Sequence, residues 1–125
     1  MYRLLVADDD VQQLGIRKLL LEAAGHEVAI ADTAPEARHL LEELRPDVLV
    51  MDLRLQKLKD GLSLIRCVEE KRLAAKIIVL SGWTEELCDL PEEKLVCCVL
   101  GKPIRNDRLL EAINAAVSSP FRSLP

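Results

Sequence analysis

Six polar residues stand at the ends of short apolar runs, and their types make a set suited to phosphorus chemistry. Asp8, Asp9 and Asp10 follow Arg3 to Ala7; Asp52 follows Asp47 to Met51; Ser81 follows Lys76 to Leu80; Lys102 lies just beyond Leu95 to Leu100. Carboxylates that converge repel one another, and they persist together where a cation neutralises them or a proton is shared. A hard divalent ion with oxygen ligands suits such a group. Mg2+ is favoured because it accepts few protein ligands, keeps several waters and bridges to phosphate. A carboxylate beside that ion can attack phosphorus and form an acyl phosphate. The Ser81 hydroxyl and the Lys102 ammonium would then bind further phosphoryl oxygens, over which the transferring group spreads its charge.

Taken singly, each residue has a plainer reading. An Asp after a strand commonly caps a helix. Ser81 before Gly82 is a turn signal, and Lys102 before Pro103 reads as a solvated loop lysine. The conjunction carries the argument: four strand ends bearing acid, acid, hydroxyl and amine.

Those residues act together only if the chain brings the strand ends to one edge. The four runs above, with a weaker one at Glu27 to Ala31, are continuous rather than alternating, as expected of strands covered on both faces of a parallel sheet. Between them lie helical patterns. Val11 to Ala24 is closed by Gly25. Ala37, Leu40, Leu41 and Leu44 form a stripe behind a capping box of Thr33 and Glu36, with Pro35 in the first turn. Leu62 to Lys71 follows a turn at Asp60-Gly61; a weaker helix starts near Thr84 and meets Pro91; Asn106 to Val117 is the last. Strands alternating with helices predict an α/β domain with right-handed crossovers. Five units suit a single doubly wound (βα)5 flavodoxin-like fold, parallel sheet order 2-1-3-4-5, with ligands at the carboxyl ends of the strands. Asp8, Asp9 and Asp52 would then share one rim. The domain is expected over residues 1–117, with 118–125 a C-terminal tail or truncated linker.

Composition narrows the partners. The 125 residues suit one domain, and 17 basic against 21 acidic side chains give a net charge of −4. No block of Lys or Arg supplies a nucleic-acid surface. No apolar run reaches the roughly 20 residues of a membrane span, and the few apolar residues before Asp8 are too short for a secretory signal, so a cytoplasmic location is expected. The cysteines at 67, 88, 97 and 98 form no C-x-x-C pair and read as small buried apolar residues.

Over essentially its whole length the sequence resembles the receiver domains of two-component response regulators. The resemblance rests on Asp8-Asp9; on Asp52 at the end of Val48-Leu49-Val50-Met51; on Ser81 in Ile77-Ile78-Val79-Leu80-Ser81-Gly82; on Lys102-Pro103; and on Asp60-Gly61. It implies a CheY-like phospho-switch with Asp52 as phosphoacceptor. Mg2+ would be held by Asp9, Asp52 and the backbone carbonyl of Arg54, with Asp8 acting partly through water. It also implies a cis peptide bond at Lys102-Pro103. The implied phosphoryl donor is a sensor histidine kinase or phosphotransfer protein, and the implied reader a downstream protein or a linked output domain. No enzymatic activity is expected beyond the domain's own phosphoryl transfer and dephosphorylation.

Three departures bear on how a signal would leave the site. Val99 stands where the family usually has an aromatic, Gln56 replaces a usual proline, and the segment from Asp52 to Asp60 is one residue longer. Arg54 and Trp83 occupy the places that flank the path of attacking water, where their bulk would shield the phosphoryl group. Two competing readings are a non-phosphorylated pseudo-receiver that only binds proteins, and a phosphatase of the haloacid dehalogenase type built on the D-x-D within Asp8-Asp9-Asp10. The intact acids, hydroxyl and lysine oppose the first. The second lacks a later acidic pair, since only Asp107 and Glu111 follow Lys102, both in a helix.

Overall fold

The computed structural model describes residues Met1–Ser118. Five parallel strands, β1 (Arg3–Ala7), β2 (Glu27–Ala31), β3 (Val48–Asp52), β4 (Lys76–Ser81) and β5 (Cys98–Gly101), form one sheet in the order β2-β1-β3-β4-β5, as expected. The helices are α1 (Val11–Ala23), α2 (Ala34–Leu44), α3 (Leu58–Glu70) and α4 (Asn106–Ser118).

The apolar runs are continuous because each strand feeds two cores. Leu5, Ala7, Leu49, Met51, Ile77 and Val79 face α2 and α3, where Ala37, Leu41, Leu64, Ile65 and Val68 meet them. The alternate residues Leu4, Val6, Val48, Val50, Ile78 and Leu80 face α1 and α4, against Leu14, Leu21, Leu109 and Ile113. Strand side chains alternate between faces, so only a run apolar at every position can supply both layers.

Local signals set several helix ends. Asp10 caps α1 and accepts from the backbone N–H groups of Gln12 and Gln13. Thr33 caps α2 by accepting from the N–H of Glu36 at 3.3 Å, and Pro35 lies in the first turn. Beyond α1, Gly25 takes φ +98°, which a residue without Cβ adopts at little cost.

Two elements differ from expectation. The region after β4 holds no α-helix: residues 84–89 are turns joined by three-residue closures, Glu86 N–H to Trp83, Cys88 N–H to Glu85 and Leu90 N–H to Leu87. A 3-10 helix, Pro91–Leu95, follows. Pro91 brings no N–H and biases Leu90 away from helix, while Asp89 takes φ +66°. Among the described residues the five-helix pattern is therefore four α-helices and a 3-10 helix. Cys88 lies in this stretch and is exposed, unlike the buried Cys67, which corrects the expectation of uniformly buried cysteines.

The other difference is that α3 starts at Leu58, four residues before the expected start, so Asp60-Gly61 lies in its first turn. A Cβ at Gly61 would sit 1.8 Å from the carbonyl oxygen of Leu53. The glycine is there for close approach of α3 to the segment after Asp52. Gln56 takes φ +80°, a conformation closed to the proline usual at this place. Of the expected tail, Ser118 ends α4, and the remaining positions lie outside the described residues.

Because that clash is with backbone, Gly61→Ala is expected to push α3 away from Leu53 and to destabilise the fold by at least about 2 kcal/mol. Urea denaturation measures it; a loss within about 0.5 kcal/mol of the parent would show that the approach can relax.

Candidate functional site

Strand register brings the polar residues together. Ala7 lies opposite Met51, so Asp8 and Asp52 emerge side by side at the carboxyl ends of β1 and β3. Asp52 in turn lies opposite Leu80, and Ser81 opposite Gly101, which places Ser81 and Lys102 on the same edge. One carboxylate oxygen from each of Asp8, Asp9 and Asp52 falls within 4.8 Å of the others. Asp8 is 1% exposed, Asp52 half-buried and Asp9 exposed.

Lysine neutralises part of this charge. Lys102 Nζ donates to Asp52 Oδ2 at 3.2 Å and to Asp8 Oδ2 at 3.3 Å. The Lys102-Pro103 peptide bond is cis. Asp8 Oδ1 accepts from the N–H of Asp10 at 2.9 Å, and Asp52 Oδ1 from the N–H of Arg54 at 3.3 Å. Burial pushes the Asp52 carboxyl up; the Lys102 charge and hydrogen bond pull it down; Asp8 pushes it up again, and the net result lies above its ordinary value.

Ser81 is buried and closes a small ring with Trp83. Its hydroxyl donates to the Trp83 carbonyl at 2.8 Å and accepts from the Trp83 N–H at 2.9 Å. The Trp83 side chain is largely exposed. The Arg54 guanidinium is not held at Asp52: its Nε donates to both Glu86 oxygens, at 2.7 and 3.1 Å. That ion pair ties the segment after β3 to the turns after β4.

Two residues of this neighbourhood are absent from the sequence reading. Glu86 has no sequence signal, since its partner lies 32 residues away. Arg17 has one. It sits between Leu14 and Leu21 on the buried stripe of α1, where helical spacing calls for an apolar side chain, and its Nη1 reaches Asp8 Oδ2 at 3.3 Å. Asp107, one of the two acids following Lys102, is exposed and paired with Arg105, so it supplies no second acidic pair of the phosphatase kind.

A family model described as the response regulator receiver domain matches residues 4–114. The chain belongs to this family. It is 36% identical over 90 residues to the virulence transcriptional regulatory protein PhoP of Salmonella typhimurium (strain LT2), covering 70% of this chain and 40% of that protein. Over 80 residues it is 38% identical to the transcriptional regulatory protein PhoP of Escherichia coli O6:H1, covering 64% of this chain and 35% of that one. The matched regions thus cover 40% and 35% of these curated relatives. Among solved structures, a response regulator receiver domain protein of Clostridium thermocellum superposes with a TM-score of 0.85 at 28% identity, covering 94% of this chain and 95% of the other. A CheY-like receiver domain protein of Methanospirillum hungatei JF-1 gives 0.79 at 26% identity, with 94% of each chain covered. Among the described residues no helix of this receiver domain is long and apolar enough to cross a membrane.

The raised Asp52 carboxyl has a consequence for stability. A carboxyl that binds its proton more tightly in the folded than in the unfolded chain detracts from stability once the pH passes the ordinary carboxylate range. At pH 7 without divalent ions, Asp52→Asn is therefore expected to raise the thermal midpoint by roughly 2–5 °C. A melt in chelator tests this; an unchanged or lower midpoint contradicts it.

Proposed function

We propose that this receiver domain takes a phosphoryl group on Asp52 and acts as a phosphorylation-dependent switch for protein interaction. The observation that carries the proposal is the Lys102 ammonium bridging Asp52 and Asp8 at the carboxyl edge of the sheet, beside a three-carboxylate group. A lone structural aspartate needs no such surroundings. An acceptor carboxylate needs a nearby cation to meet the charge that accumulates as phosphorus arrives.

The donor set fits Mg2+: it is all oxygen, small and partly open to solvent through Asp9. Asp9, Asp52 and the backbone carbonyl of Arg54 would hold the ion. Asp8, whose oxygens already accept from Asp10, Arg17 and Lys102, would act through water. When bound, Mg2+ supplies charge neutralisation at phosphoryl oxygens. The chain's own residues do the rest. Asp52 presents a carboxylate oxygen to phosphorus, Lys102 binds one phosphoryl oxygen, and Ser81 donates its hydroxyl to another.

The phosphoryl donor would be a sensor histidine kinase or phosphotransfer protein, working in the cytoplasm. The phosphorylated state would be read by a downstream protein or a linked output domain. Support for the latter comes from the curated relatives, which are named transcriptional regulatory proteins and extend well beyond the matched region. The domain would catalyse only its own phosphoryl transfer and dephosphorylation.

Incubation with acetyl phosphate and Mg2+ is expected to add one phosphoryl group by intact mass, labile to hydroxylamine and abolished in Asp52→Asn. Modification that persists in the variant would move the acceptor elsewhere. No modification of the parent would favour a protein-binding module without phosphorylation.

A further inference from the structure

The buried stripe of α1 consists of Leu14, Arg17 and Leu21. Two of these are core leucines; the third is an arginine only 8% exposed. A guanidinium desolvated to this degree persists only where a partner answers its charge. That partner is Asp8, 1% exposed, whose Oδ2 receives Arg17 Nη1 and Lys102 Nζ at 3.3 Å each. One buried carboxylate oxygen therefore carries two cationic donors. Three carboxylates less two cations leave the cluster a single net negative charge.

The two cations are not equivalent. Lys102 is partly exposed, on a flexible stem, and also reaches Asp52, so it can follow an incoming phosphoryl oxygen. Arg17 is fixed in the middle of a helix, packed between core residues, and cannot lose its charge. It touches Asp8 but is not among the residues that contact Asp52.

We propose that Arg17 is a positioning residue: a permanent internal cation that holds Asp8 in place and keeps the affinity of the acid cluster for a divalent ion low. The inference rests on the reading that this cluster takes such an ion. A fixed positive charge beside a cation site weakens binding by Coulomb repulsion, an effect undiminished by the loss of any one hydrogen bond. Arg17 also restrains Asp8, and that restraint alone would favour binding. Charge prevails because Asp9 and Asp52 do not depend on the Arg17 contact for their placement: Asp9 follows β1 directly and Asp52 is the last residue of β3.

The test compares the parent with Arg17→Met, which keeps an unbranched apolar stem but removes the charge, and Arg17→Lys, which keeps the charge. Mg2+ affinity is read from the fluorescence of Trp83, the only tryptophan, whose backbone is bonded to Ser81, and independently by calorimetry. Arg17→Met is expected to bind Mg2+ roughly tenfold more tightly, and Arg17→Lys to stay within about twofold of the parent. By linkage, Mg2+ should then raise the melting midpoint of Arg17→Met more than that of the parent. A purely structural role for Arg17 would lower the metal-free midpoint of the variant without tightening binding.

Should Arg17→Met fail to give a native circular dichroism spectrum, Arg17→Gln makes the same comparison with a neutral side chain that can still hydrogen-bond Asp8. Equal or weaker Mg2+ binding by the folded neutral variant overturns the inference while leaving the metal reading intact. So does Arg17→Lys binding as tightly as Arg17→Met, which would assign the effect to packing. A parent with no Mg2+ response in either measurement overturns both.

Discussion

The repulsion among three carboxylates at the ends of β1 and β3 is the constraint around which the rest of this edge is arranged. Register makes it unavoidable, since Ala7 beside Met51 delivers Asp8 and Asp52 as neighbours. In the described residues the repulsion is met from two directions. Lys102 arrives from the end of β5 and Arg17 from the middle of α1. Backbone N–H groups of Asp10 and Arg54 add smaller contributions at the remaining oxygens. The fold thus holds an acid cluster that an isolated loop could not, because strand pairing supplies the free energy that keeps like charges close.

Much of this was legible in the sequence because the relevant signals are local. A strand covered on both faces must be apolar at every position, so the residue where the run stops marks its carboxyl end. Asp52, Ser81 and Lys102 were found that way, with the parallel order supplying their convergence. The missing fourth helix was signalled only partly, by Pro91. The left-handed Asp89 and the single-turn closures from Trp83 to Leu90 carried no such signal. The early start of α3 was hidden for the opposite reason. Gly61 reads as a turn by propensity, yet its requirement is set by a carbonyl eight residues earlier, and tertiary approach overrides local preference. Arg17 was visible as an arginine on an apolar stripe. Its meaning was not, because long charged side chains on such stripes commonly reach out to solvent, and only the packing of α1 on β1 directs this one inward.

The replacement of helix by tight turns between β4 and β5 changes what that edge can do. An α-helix there would be held by a ladder of backbone bonds and would move as a rigid body. Turns closed one at a time, with much of the stretch from Gly82 to Asp89 exposed, form a region of low local stability. Its anchors among the described residues include Leu87 in the core with Leu90 packed against it, buried Glu92 paired with Arg66, and Glu86 paired with Arg54. Of these, the Arg54–Glu86 pair alone spans from the segment after β3 to the segment after Ser81.

This arrangement bears on how a signal could leave the site without an aromatic on β5. Val99 lies opposite Val79 and packs against the core, and a valine offers no ring to swing between two positions. The Ser81 hydroxyl has one proton to donate, and it is given to the Trp83 carbonyl. To donate to a phosphoryl oxygen on Asp52, Ser81 must release that carbonyl, which then needs another partner or water. The first turn after β4 therefore cannot keep its hydrogen bonds unchanged through such an event. Since the turns that follow are closed singly, the change would be free to pass along them toward Glu86, and through Arg54 back to the segment after β3. Such coupling would run through backbone hydrogen bonds and one ion pair rather than a side-chain rotamer, and valine at position 99 is compatible with that route because it would take no part.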